Sequence, residues 1–196
     1  MTILDVVANY CQDHLSNSEC SKLPFHSLQH TLEVVERVKL IAQKCSLSKD
    51  EMEPVLIAAW FHDTGYSSTY VGHEEESARL AEKFLSQAQY DREKIKLVVS
   101  CVHATKMPQN PMSEQAEILC DADIFHISTP DFFFKKLLLR REWELILGKT
   151  YSDQAWHELN LAFLQEHHFF TSYSKEVGKQ GKRLNIEKVK MILQYY

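Results

Sequence analysis

The sequence is poor in glycine and proline, with five of each in 196 residues. So few turn-forming residues, and the lack of any repeat or low-complexity tract, argue against a glycine-rich β architecture. No apolar run approaches the roughly 20 residues that a helix needs to cross a bilayer, so we expect no membrane span. The opening "MTILDVVANYCQDHL" lacks the basic start and apolar middle of a secretory signal, and we therefore expect a cytoplasmic chain.

Paired cysteine motifs and a surplus of basic residues are also missing. No C-x-x-C pair occurs, which argues against a zinc ribbon or a dithiol redox motif, and we expect reduced, mostly buried thiols at Cys11, Cys20, Cys45, Cys101 and Cys120. Lysine and arginine number 22 against 27 aspartates and glutamates, a net charge of -5. Because nucleic-acid binding usually needs a basic surface, we expect no nucleic-acid partner.

The composition is that of an ordinary globular chain, with 44% hydrophobic and 25% charged residues, and its length suits one well-filled core. Apolar residues recur every three to four positions in "HTLEVVERVKLIAQKC", "ESARLAEKFLSQA" and "REKIKLVVSCVHA", which predicts amphipathic helices. Ser48 and Glu51 have the spacing of a capping box. "DFFFKKLLLRREWELIL" and "DQAWHELNLAFLQEHHFF" also read as helix, whereas "YSSTYVG" and "TKMPQNPMS" read as loops.

Ten histidines are many for a chain of this size, and several have informative positions. In "PFHSLQH", His26 and His30 are four residues apart, so both would lie on one face if this segment is already helical. His62 and Asp63 end the apolar run "PVLIAAWF". An imidazole and a carboxylate are costly to desolvate there unless something compensates them.

Further polar residues follow near the ends or on the apolar faces of predicted helices, namely His73, Glu74, His103, Asp121 and Asp123. Imidazole nitrogen and carboxylate oxygen together suit Mn, Fe, Co, Ni or Zn, whereas Mg or Ca sites depend more on oxygen. Neighbouring side chains on a helix point about 100° apart, so His62 and Asp63 can face one ion only if it lies between helices. The pattern favours a transition metal inside a helix bundle.

The ordered set His30, His62, Asp63 and Asp123 resembles the H…HD…D pattern of the HD superfamily of metal-dependent phosphohydrolases. The segments "FHSLQHTLEVV", "AAWFHDTGY", "HEEESARLA", "HATK" and "LCDADI" are similar to small bacterial predicted HD phosphohydrolases, including HD domains of some nucleotide-signalling defence proteins. The resemblance spans residues 24 to 127. It implies an all-α, single-domain helical bundle over residues 1–196, with the metal between central helices and residues 130 to 196 closing the bundle.

The same resemblance implies a ligand set of His30, His62, Asp63 and Asp123 for one or two divalent ions, with Mg as a further candidate metal. Asp63 would be able to bridge to a second ion. His73 and His103 stand where two-metal members place further histidines; the alternatives are that they contact phosphate or form a polar rim. Asp121 would orient a ligand imidazole.

A further similarity concerns His26. "FHSLQH" resembles the "YHN" segment of cyclic-nucleotide phosphodiesterases, in which the first histidine protonates the leaving oxygen and the one four residues later binds metal. This implies a general acid at His26, a role that suits a side chain with an unperturbed pKa near 6.5. Ser27 and Phe25 replace the Asn and Tyr of that segment, so the similarity bears on roles and not on substrate.

The expected activity is metal-assisted hydrolysis of a phosphate ester, with a nucleotide as the substrate class. Asp63 would hold and polarise the water, and Glu74 would position the water or a ligand. Lys106, with His73 and His103, is the candidate for binding phosphate. The basic tail "KEVGKQGKR", with Lys179, Lys182 and Arg183, reads more simply as a solvated face.

Two other functions are compatible with the sequence. One is a nucleotide-binding sensor or regulatory module without turnover. The other is a mixed-valent di-iron oxygenase, which some HD proteins have become while using the same six-ligand set. Metal analysis and phosphate release separate these from the hydrolase.

Overall fold

The computed structural model describes residues 1–196, which form nine α-helices, three short 3-10 helices and no strand. The predicted all-α fold is confirmed. None of the helices is both long and apolar enough to cross a membrane. The α-helices are α1 (Ile3–Asn17), α2 (Leu28–Lys44), α3 (Lys49–Phe61), α4 (His73–Gln87), α5 (Arg92–Ala104), α6 (Glu114–Ile124), α7 (Phe132–Leu147), α8 (Asp153–Glu166) and α9 (Ser172–Leu193).

The chain divides into two compact units, Met1–Asp123 and Ile124–Tyr196. In the first unit, side chains define where the helices begin. The predicted capping box at α3 is confirmed: Ser48 Oγ accepts from the Glu51 amide, and the Glu51 carboxylate accepts from the Ser48 amide at 2.9 Å. Asp91 caps α5, because its side chain accepts a hydrogen bond from the Lys94 amide at 3.0 Å.

Helix α3 is the central element of the first unit. It packs against α1, α2, α4 and α5, and every residue from Pro54 to Phe61 is buried. A helix that is apolar on all sides is stable only when other elements surround it. The chain leaves α3 at Phe61, so His62 and Asp63 begin where this buried helix ends.

A tight turn after α3 brings the start of α4 close. In the 3-10 helix Thr64–Ser67, the Gly65 amide donates to Ser77 Oγ of α4 at 2.8 Å. A Cβ at Gly65 would lie 2.0 Å from the His73 carbonyl oxygen, so only glycine allows this approach. The turn therefore fixes His73 beside the end of α3.

The second unit contains the 3-10 helix Phe125–Ser128 and helices α7 to α9, with α9 packed against α8 and the 3-10 helix. The prediction that α8 continues through "HHFF" is wrong. The helix ends at Glu166, because His167 is extended (φ -66°, ψ 137°) and Thr171 already caps α9. The intervening segment instead buries Phe169.

The five cysteines are free thiols, and four of them are buried, as the sequence indicates. Cys45 is partly exposed. Burial raises the pKa of the Cys11 thiol, and it raises that of Cys101 to about 12. The buried cysteines therefore behave as small apolar core residues.

Candidate metal centre

Four of the predicted ligands converge in the first unit from three directions. His30 lies in the first turn of α2, His62 and Asp63 follow α3, and Asp123 lies in the last turn of α6. The side chains of His30, His62 and Asp63 are 3%, 1% and 5% exposed, and that of Asp123 is 17% exposed. The cluster is thus almost fully buried, and Asp123 is its most exposed member.

The donor atoms of this cluster face one another. His30 Nε2 lies 3.1 Å from Asp123 Oδ1 and 3.5 Å from Asp63 Oδ2. His62 Nε2 lies 3.2 Å from Asp63 Oδ2, 3.5 Å from His30 Nε2 and 3.8 Å from Asp123 Oδ1. Two imidazoles and two carboxylates therefore direct one atom each toward a common point.

These separations fit a bound divalent ion. Donor atoms about 2.1 Å from one ion lie about 3.0 Å apart in an octahedron and about 3.4 Å apart in a tetrahedron. Four of the five observed separations, 3.1 to 3.5 Å, lie in or close to this range, and the fifth is 3.8 Å. Asp63 Oδ2 is buried between the Nε2 atoms of His30 and His62, where a carboxylate is unfavourable unless an ion or a protonated imidazole compensates it. The cluster of His30, His62 and Asp123, with Asp63 beside it, could hold a metal.

The orientation of His62 is set by the helix that precedes it. His62 Nδ1 donates to the Ala59 carbonyl at 2.8 Å, which leaves Nε2 facing the cluster. Burial alone would lower the pKa of His62, but the carboxylates of Asp63 and Asp123 outweigh it and raise the pKa to about 9. The His62 imidazolium in turn keeps the pKa of Asp63 well below its ordinary value, against the effect of burial.

The candidate second site begins at the other oxygen of Asp63. His73 Nε2 lies 3.6 Å from Asp63 Oδ1, and His73 Nδ1 lies 3.6 Å from Glu74 Oε2. Burial lowers the pKa of His73, and the nearby carboxylates only partly offset this. A neutral imidazole at this position is ready to donate a lone pair to an ion or a hydrogen bond to phosphate.

A stack of three rings lies next to the centre. Tyr66 stacks on His73 with ring centroids 3.7 Å apart and on His26 at 4.4 Å, and the Tyr66 hydroxyl lies 3.2 Å from His26 Nε2. His26 does not share a helix face with His30, because α2 begins only at Leu28. The centroids of the two rings nevertheless lie 5.9 Å apart. Sequence reasoning missed Tyr66, although its place three residues after Asp63 is a usable signal.

The remaining candidate residues are His103, Lys106 and Asp121. The His103 side chain is 41% exposed, and its Nδ1 lies 3.6 Å from Glu75 Oε2 in the first turn of α4. Lys106 is exposed in the loop after α5, and Asp121 is fully buried in α6. The structure thus brings together His30, His62, Asp63, Asp123 and His73, with His26 and Glu74 adjacent.

Comparison with known proteins agrees with this arrangement. The family model described as HD domain matches residues 27–128, about half of the chain, and this range contains all four proposed ligands. No curated protein matches the sequence.

Solved structures resemble nearly the whole chain at low sequence identity. A Lactobacillus plantarum protein is 14% identical with a TM-score of 0.72, covering 98% of this chain and 96% of its own. Bacillus subtilis YpgQ, solved with ADP, is 16% identical with a TM-score of 0.69, covering 98% and 94%. A predicted HD superfamily hydrolase from an uncultured Thermotogales bacterium is 17% identical with a TM-score of 0.66, covering 97% and 91%. At these identities the similarity establishes the fold.

Proposed function

Because the chain belongs to the HD domain family, we propose that it is a metal-dependent phosphohydrolase and that a nucleotide is its substrate. The observation that carries the proposal is the convergence of His30 Nε2, His62 Nε2, Asp63 Oδ2 and Asp123 Oδ1 in one buried cluster. Their mixed nitrogen and oxygen chemistry suits Mn, Fe, Co, Ni or Zn. Those four residues would hold the ion, and His73 would help Asp63 to hold a second one.

A divalent ion bound there would lower the pKa of water and neutralise charge on phosphoryl oxygens. Side chains of the protein would position the attacking water. Asp63 would orient the attacking water, since its second oxygen, Oδ1, is directed toward His73 and not into the cluster. Glu74, largely buried beside His73, would position that water or hold the His73 ring.

His26 would deliver the proton to the leaving oxygen. It is partly buried, and Tyr66 contacts it both through the ring and through the hydroxyl. Two contacts on one imidazole restrict its rotation, which is what a positioned general acid requires. Tyr66 would therefore be a positioning residue for His26.

The nucleotide assignment rests on the resemblance to nucleotide-directed HD proteins and on YpgQ, a protein of similar fold that binds ADP in its crystal structure. His103 is exposed and faces Glu75, which favours a role at the rim of the site over one beside Asp63.

The direct test is a hydrolysis panel. Purified protein is loaded separately with Mn, Co, Ni, Fe and Zn and offered nucleoside mono-, di- and triphosphates, cyclic nucleotides and simple phosphoesters, with released phosphate and nucleoside products measured. We expect metal-dependent hydrolysis of at least one nucleotide. His62→Ala and Asp63→Ala should each abolish both bound metal and hydrolysis while circular dichroism remains helical. His157→Ala, in the second unit, is the matched control and should retain both.

The two alternative functions give different results in the same experiment. A metal-loaded protein that binds nucleotide but hydrolyses nothing in the panel would be a sensor. Two irons per chain with visible absorption, and no phosphate release, would favour an oxygenase. Either result would overturn the phosphohydrolase proposal.

A further inference from the structure

The second unit contains a pocket of about 340 Å³ that uses no residue of the metal centre. It is formed by the start of the segment that follows α8 and by one face of α9. This volume is within the range of small-molecule sites. Its walls combine four cations with a histidine and two apolar side chains, namely Lys175, Lys179, Lys182, Arg183, His168, Phe169 and Ile186.

The cations concentrate on one face of α9. Lys175, Lys179 and Arg183 are each four residues apart, and like charges at this spacing repel one another. Glu187 Oε1 lies 3.9 Å from Arg183 Nε, and both partners of this ion pair are mostly exposed. Such an exposed pair compensates little charge. In a chain whose net charge is -5, this positive face indicates an anionic ligand.

Lys182 is the least exposed of these cations and is held in place. Its ammonium donates to the His167 carbonyl, and partial burial lowers its pKa. An ammonium group has three donors, and this carbonyl takes one of them. Partly desolvated charge is unfavourable unless further partners satisfy it, and an anion in the pocket would do so.

Two glycines allow close packing around the pocket. A Cβ at Gly178 would lie 2.5 Å from Phe169 Cε2, so the glycine lets the phenyl ring pack against α9 and form the pocket wall. A Cβ at Gly181 would lie 1.9 Å from the Ser128 carbonyl oxygen, so this glycine seats α9 directly on the 3-10 helix. The backbone that carries the basic side chains is therefore held in place, which lowers the entropy lost on binding.

We propose that this pocket binds a diphosphate group, carried either by a nucleotide or by inorganic pyrophosphate. A diphosphate spans several cations that are one helical turn apart, which a single carboxylate cannot do. Phe169 and Ile186 provide an apolar surface for the organic part of a nucleotide. The proposal is independent of the hydrolase activity, because none of the residues involved belongs to the metal centre.

The test is binding of pyrophosphate, ADP and adenosine to the full chain, stripped of metal with a chelator, by isothermal titration calorimetry at low salt. We expect one site per chain for pyrophosphate or ADP and no binding of adenosine. Tighter binding of ADP identifies a nucleotide ligand, and equal binding identifies inorganic diphosphate. The double variant Lys179→Glu with Arg183→Glu should lose at least about tenfold in affinity, because the loss of one charge-assisted hydrogen bond already costs about tenfold.

Lys188→Glu is the matched control, since Lys188 is an exposed lysine of α9 that does not line the pocket. It should change the affinity less than about threefold. An equal loss of affinity in this control would mean that the net charge of the protein explains the effect, and it would overturn the proposal. So would unchanged affinity in the double variant, no diphosphate binding at all, or tight binding of a single-stranded oligonucleotide that pyrophosphate does not displace. No activity is measured, so failure here leaves the phosphohydrolase proposal unaffected.

Discussion

Loading a metal ion into the centre should release a proton, and the amount follows from the state of His62 without metal. Asp63 and Asp123 raise its pKa to about 9, so at pH 7 about 100 molecules carry the proton for each one that does not. Because Nδ1 is committed to the Ala59 carbonyl, coordination requires the Nε2 lone pair and therefore the loss of that proton. We expect about one proton released per ion at pH 7.

The same equilibrium gives a pH dependence of affinity. Below pH 9 the apparent affinity for the ion should fall about tenfold for each pH unit, which is about 100-fold at pH 7 relative to the deprotonated centre. Calorimetric titration with zinc in several buffers of different ionisation enthalpy measures the proton number directly. A proton number near zero at pH 7 would refute this account of the centre. His157→Ala should give the same proton number as the unmodified protein.

The metal-free protein should also show a characteristic stability profile. The pKa of His62 is raised from 6.5 in the unfolded chain, so its contribution to stability is fully present below pH 6.5 and is lost as the pH rises toward 9. The pKa of Asp63 is lowered from 3.8, so its contribution is present above pH 4 and is lost on acidification. Without metal, the midpoint temperature of thermal unfolding should therefore be highest between about pH 4 and 6.5. Addition of metal should remove the fall in this temperature at alkaline pH.

Three further predictions concern the surroundings of the centre. Gly65→Ala should lower the free energy of unfolding in chemical denaturation by at least about 2 kcal/mol, because the new Cβ would meet backbone atoms. Gly72→Ala is the control: its Cβ has space, so only the positive φ should cost stability, about 1 kcal/mol. Tyr66→Phe should retain metal but lower turnover about tenfold and shift its pH profile, since the hydroxyl contact to His26 is lost; an unchanged profile would exclude the positioning role. A thiol reagent should modify only Cys45 in the native protein, and slowly, because burial raises its pKa; rapid reaction of a second thiol would contradict the described core.

The sequence predicted the first unit well where a repeated pattern was present. The segment "REKIKLVVSCVHA" coincides with α5, because its apolar period agrees with a good cap at Asp91. His62 and Asp63 were identifiable because two polar groups at the end of an apolar run need compensation. Helix α1 was not identified, although Val7, Cys11 and Leu15 recur at helical spacing.

Other features depend on contacts that a linear pattern does not contain. Periodicity continues past Glu166 into "HHFF", but burial of Phe169 against Gly178 ends α8 there. Likewise, nothing in the spacing of Tyr66 from His26 and His73 indicates that three rings stack. The basic tail looked like a solvated face, and only the packing of α9 reveals a pocket beside it.

The burial of α3 has a consequence for how an ion would enter and leave the centre. His62 and Asp63 directly follow a helix that is enclosed by four others, so no local fraying of α3 can move them apart. Amide protons of α3 should exchange only through global unfolding. An ion would therefore enter and leave on the side of Asp123, the most exposed of the four side chains, while the end of α3 keeps its two ligands in place.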